Sequence, residues 1–204
     1  MNVKTVLLPA ALAASTMLAL TGCASVNAPS VEDAVTSSPT ATSEATTAAP
    51  VGVSAIAAEY PAPQNAPIDA QLAWEALLGP EGEYAAAASY QAVLATYGNV
   101  EPYATIYQQE LRHISALIRQ LDRYGISVPE NPYLGNIPAP ADLETAARAW
   151  ADGEVANVAM YDGLIAQATD VRLASVLSNL RNASLTSHLP LFEEAAANGG
   201  TLPA

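Results

Sequence analysis

Cysteine, lysine and histidine are nearly missing from this chain, which has one Cys, one Lys and two His in 204 residues. A lone cysteine, Cys23, excludes a disulfide framework within one chain. Positive charge is scarce altogether: seven Lys plus Arg stand against twenty Asp plus Glu. So acidic a chain repels nucleic acid and anionic headgroups, and no nucleic-acid partner is expected. There is no Gly-rich phosphate loop following a strand pattern, no Gly-x-Ser-x-Gly elbow and no paired cysteines, so nucleotide and hydrolase chemistry have no support. No stretch with strand periodicity competes with the helical pattern described below.

What is present starts with an export pattern. Lys4 gives a positive start, an uncharged apolar run follows from Val6 to Leu20, and small residues lead into Cys23. The run is too short and too weakly flanked for a stop-transfer helix, so cleavage is expected. Leu20-Thr21-Gly22-Cys23 resembles the lipobox of bacterial lipoproteins. That resemblance implies lipidation of Cys23 and a membrane-anchored location facing outside the cytoplasm. Acyl chains, at roughly 0.8 kcal/mol per buried CH₂, hold a domain at a bilayer without a spanning helix. Residues 1–23 are therefore read as a signal peptide. Residues 24–66, rich in Ala, Ser, Thr and Pro and punctuated by Pro29, Pro39, Pro50, Pro61 and Pro63, are read as a disordered stalk. The folded domain is expected over 67–204.

Within that domain the apolar residues recur at helical spacing in four long segments. The first spans about 69–97, with a kink or split at Gly79-Pro80, because Pro80 cannot donate to the carbonyl four residues back. The second spans about 101–124 and stops at Gly125. After a Pro-rich connection over 126–140, the third runs from an Asp142 cap to about 168, and the fourth from a Thr169 cap to about 198. Two short connections make antiparallel neighbours, and the long one between helices two and three can cross over. The fold class expected is all-α, an antiparallel four-helix bundle.

Ionisable residues sit where each buried stripe should be apolar. Glu83 lies on the first stripe, Glu110 on the second with His113 three residues on, Glu154 on the third and His188 on the fourth. Both histidines of the chain thus fall on core faces. Buried carboxylates cost several kcal/mol each unless protonated, paired or bound to metal. Arg181, two turns before His188, is a possible counter-ion that would need no metal. Carboxylate oxygens with imidazole suit iron, and also manganese or zinc. Tyr90, Tyr161 and Asn157 are candidates to support the ligands from outside. The alanines at 85–88 either pack inside the bundle or offer a close helix contact to a partner.

Several stretches resemble a known group: Glu83-Tyr84 with Tyr90, Tyr97-Gly98-Asn99-Val100, Glu110-Leu111-Arg112-His113-Ile114, and Tyr124-Gly125-Ile126 with Val128-Pro129. Further on come Glu154-Val155-Ala156-Asn157, Asn179-Leu180 with Ala183-Ser184, and His188-Leu189-Pro190. Together they resemble the ferritin-like superfamily, and within it the domain-of-unknown-function 2202 family. The resemblance implies a ferritin-like bundle with metal ligands Glu83, Glu110, His113, Glu154 and His188, one or two iron ions, and oxidase or ferroxidase-type chemistry. The pattern departs from the family's on the fourth helix, where a second Glu-x-x-His is usual. Here Leu185 and Ser184 precede His188, so the set is one carboxylate short. The alternative function is a non-catalytic envelope module whose metal site is structural or degenerate. An oligomer is compatible with the sequence, but an anchor and stalk work against a closed storage cage.

Overall fold

The computed structural model describes residues 52–203. The expected signal segment, Cys23 and the stalk up to residue 51 lie outside the described residues. Every regular element among the described residues is helical. No helix among them is long and apolar enough to cross a membrane.

The last part of the expected stalk is folded, which moves the domain's start ahead of residue 67. Val53–Glu59 form helix α1, whose Ile56 is buried in the core. Val53, Ala57 and Tyr60 pack beside it, and Trp74 Nε1 donates to the Tyr60 carbonyl at 2.9 Å. Val53, Ile56, Ala57 and Tyr60 fall at helical spacing, a short stripe that Ala-rich and Pro-rich surroundings conceal in the sequence.

The first long segment is split rather than kinked, into α2 (Ile68–Leu78) and α3 (Glu83–Tyr97). Pro80 ends the ladder, and Gly82 lets the chain fold back tightly. A Cβ at Gly82 would lie 2.9 Å from the Leu77 backbone. The long connection is pinned to this break. Asn131 Nδ2 donates to the Tyr84 carbonyl at 2.8 Å, and the fully buried Tyr133 hydroxyl donates to the Leu78 carbonyl at 2.6 Å. Tyr133 thus supplies a donor that α2 lost when it stopped, and Asn131 ties the start of α3 to the same loop.

Helix α4 (Tyr103–Arg123) packs along α2 and α3. Helix α5 (Leu143–Gln167) begins at Asp142, whose side chain accepts from Thr145 N at 2.7 Å, as a cap should. It packs along α6 (Val171–Ala183), a π-helical turn (Ser184–His188) and α7 (Leu189–Ala197). Helix four is therefore interrupted by one wide turn. Its stripe had stepped by four at Leu180, Ser184, His188 and Phe192, more than the roughly 3.6 residues of a regular turn, and the π-turn absorbs the excess. Ala85, Ala87 and Ala88 are buried inside this domain, so they are core rather than a free face.

The cap of α6 corrects the sequence reading. Asp170, not Thr169, takes the cap, accepting from Arg172 N at 2.8 Å. Thr169 is committed elsewhere: its Oγ1 and N donate to Asp69 at 2.5 and 2.7 Å, and Asp170 N donates to the same carboxylate at 3.0 Å. This buried carboxylate on α2 ties that helix to the α5–α6 turn. Burial pushes its pKa up, but the Thr169 and Asp170 donors outweigh it and hold the carboxyl below its usual range. Asp170 is held below its range by Tyr124, Arg172 N and Arg123.

Depressed carboxyl pKa values stabilise the fold above the unfolded value of about 4, and that contribution is lost as pH falls through the folded values. Urea midpoints should therefore drop as pH is lowered below about 4, and Asp69→Asn should flatten that dependence. At neutral pH, Asp69→Ala should cost about 2–3 kcal/mol in chemical denaturation by orphaning its donors.

Candidate metal centre

Two apolar clusters fill the interior, and a polar layer lies between them. Leu117, Tyr161, Leu177 and Leu180 belong to one cluster, and Tyr90, Tyr103, Ile106 and Phe192 to the other. On α4, Glu110 sits between Ile106 and Ile114. On α5, Glu154 separates Trp150 from Tyr161, and His188 separates Leu180 from Phe192. The chain break before α3 puts Glu83 in that helix's first turn, where the aligned peptide dipoles favour a carboxylate. Each helical arm thus delivers its ionisable group to one level.

All five expected ligands meet there. Glu83, Glu110, Glu154 and His188 are buried at 6, 3, 2 and 1 % exposure, and His113 is half-buried. They form two triads, Glu83–Glu110–His113 and Glu110–Glu154–His188, and within each the candidate ligand atoms lie within 4.8 Å of one another. Glu110 belongs to both. Its Oε2 is 3.0 Å from His113 Nδ1, and its Oε1 is 3.4 Å from His188 Nδ1. Glu83 Oε2 stands 3.5 Å from His113 Nδ1, and Glu154 Oε1 stands 3.4 Å from His188 Nδ1. The imidazole rings face each other with centroids 5.7 Å apart.

Arginine does not neutralise this layer. Arg181 points away and pairs with Asp162 near the surface at 2.6 Å. Among the described residues, the histidines are the basic side chains within 3.5 Å of the Glu83, Glu110 and Glu154 carboxylates. Burial and the adjacent Glu83 charge push Glu110 well above the usual carboxylate range. Burial would raise Glu83 too, but hydrogen bonds with Glu110 and His113 hold it at about 2. Burial lowers His113, yet its bonds to Glu110 and Glu83 win and raise it to about 10.

The expected supporting residues divide. Tyr161 donates to Glu83 Oε1, and Tyr90 donates to Glu154 Oε1 at 3.4 Å. Burial, and then the neighbouring carboxylates, push both phenols well above their ordinary pKa, so they remain donors. Asn157 makes no hydrogen bond to the cluster and instead lines a cavity beside Glu154. Ser184 is buried while Leu185 is exposed, and neither supplies a sixth carboxylate.

One supporting residue escaped the sequence reading. Gln109 Oε1 accepts from His188 Nε2 at 3.1 Å and from Ser187 Oγ at 3.3 Å. Because an amide oxygen only accepts, Nε2 carries the proton and Nδ1 is left facing the carboxylates. The signal was there in the spacing of Ile106, Gln109, Glu110 and His113, which together make one helical face. Gln109 lies at its edge, where a polar side chain is ordinary on any half-buried helix.

The residues fit a cation. Glu154 Oε2 and His188 Nδ1 are buried without a hydrogen-bond partner, and buried polar atoms are otherwise nearly always satisfied. An imidazole nitrogen oriented through its other nitrogen, converging with carboxylate oxygens, is a metal-ligand arrangement. No protein-family model, curated protein or solved structure matches this chain, so the functional reading rests on these residues alone.

Since His113, raised to about 10, holds a proton at pH 7 in the metal-free protein, loading the centre should release on the order of one proton per chain. A pH indicator in unbuffered solution measures that release. Apparent affinity should weaken as pH falls, because protons then compete for the same atoms.

Proposed function

We propose that this protein is a lipid-anchored, extracytoplasmic, ferritin-like metal protein whose centre holds one or two iron ions. The α2–α3, α4, α5 and α6–α7 arms are read as the four legs of an antiparallel bundle, with the 124–142 connection as the crossover. Glu83 and His113 would hold one ion, Glu154 and His188 the other, and Glu110 would bridge them. Manganese or zinc also fit this donor set. Bound iron would supply electron-transfer chemistry. The chain's own part is to orient the ligands through Gln109, Tyr161 and Tyr90, and to exclude water by burying four of the five. The observation that carries the reading is the pair of buried, unpartnered atoms, Glu154 Oε2 and His188 Nδ1, the second standing 3.4 Å from an oxygen of both Glu110 and Glu154.

The five-residue set favours unequal sites, because nothing on α6 or in the π-turn replaces the absent sixth carboxylate. A centre with one firmly held ion would suit the second reading, a non-catalytic envelope module with a structural metal. The Cys23 motif supports the anchor, and the acidic, lysine-free chain beyond the signal segment supports binding of cations rather than polyanions.

Protein purified without chelator should carry on the order of one to two transition-metal ions per chain by elemental analysis. Glu110→Ala should remove nearly all of it, and His188→Ala about half. Metal content unchanged by Glu110→Ala would sink the reading. Separately, Cys23→Ala should move the protein from the membrane fraction to the soluble fraction, because a single change removes the acyl chains.

A further inference from the structure

A cavity of about 210 Å³ opens between α3 and α5 and has Glu154 in its wall. It exists because α3 packs on α4 while α5 packs on α6 and α7, and because the facing residues are small, Ala86 on α3 and Gly153 on α5. Its oxygen-bearing side chains run from exposed to buried: Glu81 in solvent, Ser89 and Asn157 half-buried, Tyr90 and Glu154 buried. Ser89 Oγ already donates to the Ala85 carbonyl at 2.9 Å, which leaves it only lone pairs to offer another group. No basic residue lines the cavity.

We propose that this cavity is the route by which divalent cations reach the buried centre, arriving first at the Glu154–His188 end. The proposal rests on the metal reading above and adds the path and its direction. A hydrated cation exchanges water for oxygen ligands in steps, and a graded series of oxygens lowers the barrier to leaving bulk solvent. Glu81 at the mouth concentrates cations and turns anions away. Glu154 both lines the cavity and belongs to the Glu110–Glu154–His188 triad, so the passage ends at the centre itself.

Gly153 makes the route testable, since it lines the cavity and a Cβ placed there meets nothing within 4 Å. The full chain is stripped of metal, and Co(II) uptake is followed by stopped-flow visible absorption. Gly153→Leu and Ala86→Leu plug the cavity from opposite walls. Both should slow uptake by roughly tenfold or more, with the final Co(II) content unchanged. Glu81→Gln should slow it by about threefold or more at low salt, and Glu193→Gln, an exposed acid elsewhere, should not. Glu81 is exposed, so its variant tests the route even where a Leu variant fails to fold. Wild-type rates in the Leu variants, or in Glu81→Gln, would overturn the route and leave the metal centre standing. Absence of Co(II) uptake by the wild type would overturn both.

Discussion

Glu110 is the constraint around which this domain is organised, a buried carboxylate whose two oxygens each face a different histidine. A carboxylate at 3 % exposure is tolerable only if positive charge or protons lie on both sides of it. His113 comes with it on the same helix, three residues away. His188 comes from the far end of the chain, and Glu83 and Glu154 from two further elements. The interior can close only if all four arms stop their apolar stripes at one level, and that level divides the two hydrophobic clusters.

Two irregularities in the helices follow from meeting at that level. The break between Leu78 and Glu83 resets the phase of the first arm, so that Glu83 enters the layer from a helix start. There its charge is favoured by the peptide dipoles as well as by His113. The π-turn at Ser184–His188 does the same for the fourth arm, turning His188 inward where a regular helix would have rotated it off the face. Both distortions lie at residues of the buried Glu–His layer, and both are supported from elsewhere in the chain. The long connection supplies donors to the first, and Gln109 braces the second through Ser187 and His188.

The ionisable residues are legible in the sequence, because a Glu or His on an otherwise apolar stripe stands out against its neighbours. Glu83, Glu110, His113, Glu154 and His188 were all found that way, as was the Asp142 cap. What was not legible depended on residues that look unremarkable along the chain. Helix α1 is hidden in a stretch whose composition reads as linker, and its seven residues become a helix only by burying Ile56 against the core. A short helix has little stability of its own, so packing decides it. Thr169 and Asp170 are both good caps, and the choice between them was made by Asp69, about a hundred residues earlier. Arg181 could have been a buried counter-ion on spacing alone, but Asp162 holds it outside.

By itself the sequence determined that the chain is helical beyond its Pro-rich beginning, and that acids and imidazoles interrupt the buried faces, because periodicity and residue type are local properties. Which oxygen faces which nitrogen, that Glu110 serves both triads, that Gln109 orients His188, and that a cavity is left beside Glu154 were decided only by the tertiary structure. Those features depend on the relative rotation and spacing of the helices, and that is set by how many side chains pack together at once.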